Sequence, residues 1–369
     1  MEIELNDEQK QLKDQVSRLL AEQATPDVLR RLITADAGFD PDLWAKTAEL
    51  GLLGAAIPEV YGGVGLGERD LCVIAEEMGR AVAPIPFFSS ICLAAEAIKL
   101  AGTEAQKETW LPKLASGAAI GAFAWNEGPG AADANVSTRL ANGRLAGVKA
   151  PVADAELAQV MVVVCAGPRL ALVELAQEGV ALAPMKGFDQ LRKHARVTFD
   201  GAVAEAMDGA DAHEILRRLY DRAAVFEAFE QVGAAESAML MARDYTLQRY
   251  TFGRQLASYQ AVKHNLANIL VMVELARSNA LYAAAALEAD APDLAAAAAT
   301  ARLSATRAYE VAARENLQLH GGIGFTWEAN CHFHYRRARL LALNLGSVEM
   351  WESKLIEALT ADNASAAAA

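Results

Sequence analysis

Between residues 261 and 280 the apolar positions Val262, Leu266, Ile269, Val273, Ala276 and Ala280 recur at intervals of four and three. That spacing lines one face of a continuous helix, the pattern of a bundle core. A second helical run, residues 308–319, stops at Gly321-Gly322, where a helix ends and the backbone becomes approachable. The alanine-rich run 294–301 reads as helix-prone filler, and residues 361–369 as a fraying tail. The period changes between about 118 and 210. There Val160 to Cys165, a Gly167-Pro168-Arg169 turn and Leu170 to Val173 predict a hairpin of buried strands, and Arg196 to Asp200 alternates as a half-buried strand does.

Residues 1–117 predict helices joined by short loops. Asp40-Pro41 has the form of an N-cap with proline at the first helical position, and Gly51 stops that segment. Thr103 and Gln106 have capping-box spacing ahead of Trp110 and Leu114, with Gly117 closing the helix. The Gly62-Gly63-x-Gly65-x-Gly67 stretch follows no β-branched strand, so it reads as a structural turn rather than a nucleotide loop. The order is therefore a helical domain (1–117), a middle β domain (118–210) and a second helical domain (211–369), a mainly α chain with a central β domain.

Composition narrows the function. With 53% hydrophobic residues the 369-residue chain has ample material for burial, and its net charge of −13 argues against nucleic acid as a partner. Cys72, Cys92, Cys165 and Cys331 lie far apart with no metal-ligand spacing, as core thiols in a reducing compartment do. An acidic N-terminus and the lack of an 18-residue uncharged apolar run predict a soluble, cytoplasmic protein with no membrane span.

Two stretches carry candidate chemistry, Arg249-Tyr250-Thr251-Phe252-Gly253-Arg254 with Tyr259-Gln260, and Gln318 to Gly324. Arg249 is a permanent cation with bidentate capacity for a diphosphate; Thr251 offers a hydroxyl and Phe252 an apolar face. Gln260 and Gln318 carry paired donors and acceptors, and Gly321 with Gly322 leaves bare backbone. Taken singly, Arg249 is equally a surface ion pair, Gln318 a solvated residue and Phe252 core.

Their joint order, together with Ile57-Pro58-Glu59-Val60-Tyr61-Gly62-Gly63, Glu76-Glu77-Met78-Gly79-Arg80 and Trp110-Leu111-Pro112-x-Leu114-Ala115-Ser116-Gly117, resembles the acyl-CoA dehydrogenase family over nearly the whole chain. The resemblance implies a β-barrel-like middle domain and a C-terminal four-helix bundle. It implies FAD held by Arg249, Thr251, Phe252, Gln260, Gln318, Gly321, Gly322 and Ser347, between the β domain of one subunit and the bundle of another. An acyl-CoA substrate and an electron-transfer flavoprotein as acceptor follow from it.

The same comparison exposes departures. Many members place the base, a glutamate, where this chain has Leu345, which takes no proton. A second group carries it on the first helix of the C-terminal domain; here the dipeptide match gives Asp221 and the count from Phe252-Gly253 gives Ala223, with Glu227 and Glu230 further along. Asn126 and Ala132 stand where the family usually has threonine and serine, and Pro151 and Ala153 where it has tryptophan and threonine. Shared labour is the implication. The chain resembles the smaller subunit of heteromeric dehydrogenases that act on bulky acyl groups such as steroid side chains, in a tetramer with a second acyl-CoA dehydrogenase-like chain. The alternatives are a self-sufficient homo-oligomer using Asp221 or a nearby glutamate and, more distantly, a flavin oxidase or monooxygenase on the same fold.

Overall fold

A computed structural model describes residues 5–128, 136–167, 169–207 and 212–368, with the side chains of 212 and 361–368 excepted. Helices α1 (Asp7–Gln23), α2 (Pro26–Thr34), α3 (Pro41–Glu49), α4 (Glu68–Arg80), α5 (Glu96–Ala101) and α6 (Glu104–Ala115) come first. Strands β1 (Gly121–Ala124), β2 (Arg139–Ala141), β3 (Arg144–Ala153), β4 (Val160–Cys165), β5 (Arg169–Glu174), β6 (Val180–Met185) and β7 (His194–Ala206) follow. The rest is helical: α7 (Ala212–Gln248), a short hairpin of β8 (Tyr250–Thr251) and β9 (Arg254–Gln255), then α8 (Gln260–Glu288), α9 (Leu294–His320), α10 (Cys331–Asn344) and α11 (Val348–Ala368). Mainly α with a central sheet, the architecture is the one expected.

The packing forms two compact units. One comprises Met1–Val28, Glu68–Ala83 and Ala224–Ala369; the other comprises Leu29–Gly67 and Pro84–Ala223. In the second unit the strands run β1-β4-β5-β7-β3-β2, with β6 also on β7. β1 continues into Glu127, which bridges Ala150 on β3, so the sheet curls back on itself toward a barrel. The predicted hairpin is β4 with β5, paired antiparallel from Val160 opposite Glu174 to Cys165 opposite Arg169. Asp40 caps α3 through the amides of Asp42 and Leu43, and Thr103 with Gln106 forms the capping box of α6. The glycine-rich stretch is a turn held to the backbone just before it, with Val64 N donating to Gly54 O and Leu66 N to Ala55 O.

In the first unit α8 and α9 form an antiparallel pair, and two readings of the alanine-rich segments need correction. Ala297, Ala298, Ala299 and Ala301 are buried, as are Ala283 to Ala286 opposite; small side chains let the two helices approach closely, so these residues are interface rather than filler. The tail does not fray at 361 but continues α11 to Ala368, as alanine propensity favours. The predicted α8 face is buried at Val262, Ile269, Val273, Ala276 and Ala280. By length and mean hydropathy α8 would cross a bilayer, but it carries Glu274 and Arg277 at mid-length and packs along α9.

The bundle core contains a titrating group. His334 lies between Ser237 Oγ, 3.4 Å from Nε2, and Tyr309 Oη, 3.2 Å from Nδ1. Burial first, and the Arg337 charge second, push its imidazole down to about 3. The unfolded chain protonates near pH 6.5 while the native one stays neutral, so stability is full above that pH and is lost as pH falls toward 3. Denaturant midpoints should report about 2 kcal/mol less stability at pH 5 than at pH 7, and His334→Gln should flatten that slope.

Candidate functional site

Asn265 on α8 donates to Glu315 on α9 at 2.7 Å, and Asn279 to Ser304 at 3.1 Å. The first residue of α8, Gln260, therefore shares one end of the pair with the last of α9, His320. α7 ends there too, since Tyr245 stacks on His320 with ring centroids 4.0 Å apart and Asn316 donates to Met241 Sδ. That convergence collects Arg249, Thr251, Phe252, Gln260, Gln318, Gly321 and Gly322 at one end of the bundle. His320 Nδ1 lies 2.8 Å from Asn316 O, a carbonyl that only accepts, so the ring proton sits on Nδ1.

The local geometry suits an anion with an aromatic part. Phe252 and Gly253 both have positive φ, +51° and +79°, as a two-residue primed hairpin turn requires. A phenylalanine rarely adopts that conformation, and here the residue is 93% exposed. Arg249 and Arg254 are exposed beside α8, whose first turn carries no acid and whose end no side chain caps. This is a local cationic face on a strongly acidic chain. A methyl group added to Gly322 would meet nothing within 4 Å, so the backbone there is open to an approaching ligand. These residues fit a dinucleotide.

Ser347 is not among them. α10 runs back along α9, with Cys331 against Asn316 and Leu341 O accepting from Arg302, so Ser347, beyond Leu341, lies toward the other end of α9 from Gly321. Its hydroxyl accepts from Met350 N at the start of α11.

The carboxylates separate by their partners. Glu227 faces Arg302 at 3.3 Å and Glu230 faces Arg337 at 3.5 Å, all four buried in the bundle core. Asp221, 1% exposed, lies 3.5 Å from the half-exposed Arg217. Its neighbours are fixed, with Arg222 on Glu96 at 2.7 Å and Tyr220 against Trp125. Leu345 is buried, and its carbonyl accepts from Trp351 Nε1 at 2.9 Å. In the sheet Pro151 is exposed and Ala153 half-buried, and Ala132 lies outside the described residues. Sequence reasoning missed a pair beside them. Fully buried Lys149 donates to Glu127 at 2.8 Å and to Trp125 O. Burial opposes the Glu127 charge, but Lys149, Ser137 and Thr138 hold its carboxyl well below the usual range. A contact between residues 22 apart leaves no trace in periodicity.

Known proteins supply the frame for this geometry. The profile "Acyl-CoA dehydrogenase, N-terminal domain" matches residues 6–118, and "Acyl-CoA dehydrogenase, C-terminal domain" matches residues 220–360. The chain belongs to the acyl-CoA dehydrogenase family. Within it, the chain is 30% identical to acyl-CoA dehydrogenase IpdE2 of Mycobacterium tuberculosis over 348 residues, 94% of each protein. Among solved structures, a variant of the Tcur3481–Tcur3483 steroid ACAD superposes with a TM-score of 0.90 at 30% identity, covering 97% of this chain and 99% of that one. The ChsE4–ChsE5 complex from M. tuberculosis gives 0.89 at 25% identity, covering 98% and 99%. Acyl-CoA dehydrogenase chemistry is oxidoreduction of an acyl-CoA.

Proposed function

We propose that this chain is the cofactor-holding subunit of an FAD-dependent acyl-CoA α,β-dehydrogenase whose partner, a second acyl-CoA dehydrogenase-like chain, supplies the catalytic base. The carrying observation is the contrast between the exposed cationic end of the bundle and the buried Leu345 at the usual base position. Arg249 would neutralise the diphosphate, Gln260 and Gln318 would satisfy polar edges, and Gly321-Gly322 would let the backbone close on the dinucleotide. When bound, FAD supplies the acceptor for the β hydride. Removal of the α proton needs a carboxylate free to take it, and Glu227 and Glu230 face permanent cations instead. Two-chain names among the similar structures, one of them a steroid ACAD, support a heteromer and a bulky acyl group. Electrons would leave to an electron-transfer flavoprotein.

One observation favours the self-sufficient reading: Asp221 is buried beside a half-exposed arginine rather than locked in the core. Asp221→Asn in the assembled enzyme is expected to keep turnover within about threefold. A fall of 10²-fold or more with flavin retained, the range for losing a general base, would make Asp221 the base and refute the partner's role. Arg249→Ala should lose flavin on gel filtration; full retention would contradict its diphosphate contact.

A further inference from the structure

β8 and β9 have two residues each, and a hairpin that short does not hold itself in water. Its turn also contains a phenylalanine at positive φ. Something outside the hairpin must fix it, and one side chain touches both strands. Tyr259, half-buried at the N-cap of α8, donates its hydroxyl to Thr251 O on β8 at 2.8 Å. The guanidinium carbon of Arg254 on β9 lies 3.8 Å from the Tyr259 ring centroid, a cation–π contact. Leu256 N then closes the loop on Arg249 O at 2.7 Å.

We infer that Tyr259 is a positioning residue of the cofactor site, clamping the Arg249–Gln255 hairpin to the start of α8 so that Arg249, Phe252 and Gln260 face one ligand together. The inference rests on the FAD reading above. Tyr259 contributes by pre-organisation: without the clamp the hairpin must be ordered at the moment of binding, which weakens affinity. Its two contacts are separable. Tyr259→Phe removes the hydroxyl bond and keeps the ring under Arg254; Tyr259→Leu removes both.

FAD affinity of the deflavinated full-length protein, prepared with its co-expressed partner, reads this out by flavin fluorescence titration alongside the melting temperature of the apoprotein. Tyr259→Phe should weaken FAD about 5-fold, the loss of one hydrogen bond, and Tyr259→Leu about 30-fold, with the melting temperature within about 1 °C of wild type. Wild-type affinity in both variants, while Arg249→Ala still loses FAD, would overturn the clamp and leave the cofactor site standing. A fall in affinity matched by a collapse in melting temperature would make Tyr259 a packing residue and equally overturn it. A wild-type protein that binds no FAD would overturn the cofactor reading and the clamp together.

Discussion

A Gly233→Ala variant is expected to lose at least about 2 kcal/mol of stability. α4 and α7 cross at a pair of glycines. A methyl at Gly79 would lie 1.8 Å from Glu230 O, and one at Gly233 would lie 1.9 Å from Glu76 O. Both obstacles are backbone oxygens, which no rotamer change removes, so the helices must separate. Alanine's helix propensity returns only about 1 kcal/mol, and forced overpacking costs more. Separation would also strain a charge cluster across the crossing. Glu76 accepts from Lys13, Arg80 and Arg277 at 3.0, 3.1 and 2.6 Å, and Glu236 on α7 pairs with Arg80 and Arg277 at 2.8 and 2.7 Å. Denaturant unfolding is the check. A midpoint at or above wild type would mean that propensity outweighs the clash.

The second large effect is in the polar core. Arg302, buried, faces Glu227 at 3.3 Å, donates to Gln231 Oε1 at 2.9 Å and also reaches Thr306 and Leu341 O. Arg302→Met keeps the bulk and strands the Glu227 charge, which should cost about 3–5 kcal/mol. Adding Glu227→Gln to it should recover part of that loss, because a neutral amide is cheaper to bury than an unpaired carboxylate. If the double variant is as unstable as the single, the pair is not coupled. If Arg302→Met unfolds like wild type, Glu227 is neutral or solvated and becomes a candidate base after all.

What was legible in the chain was what is local. The caps at Asp40 and Thr103, the β4–β5 hairpin and the stripe on α8 each follow from spacing within one continuous stretch of chain. Gly321-Gly322 also reads from the sequence as a helix end, and α9 stops at His320. The convergence of the motif residues was not legible, because it depends on Asn265–Glu315 and Tyr245–His320, contacts set by packing. Nor was the π-helical turn at Phe88–Ala95, where Ser90 Oγ accepts from Gly121 N. Glu227 and Glu230 look alike as helix carboxylates in sequence, and only the opposing arginines distinguish them from a solvated face. Alanine tracts were the least informative, since a small side chain serves equally in a solvated helix and in a close helix–helix seam.

The central claim, that holding the cofactor and supplying the base belong to different chains, is tested most directly by anaerobic titration with an acyl-CoA thioester. The protein would be compared alone and after co-expression with the product of the adjacent reading frame, measuring flavin per chain and loss of flavin absorbance. The division of labour predicts no bleaching by the chain alone and full bleaching of the assembled enzyme. A chain that purifies alone with near one flavin per subunit and bleaches with substrate would contradict it.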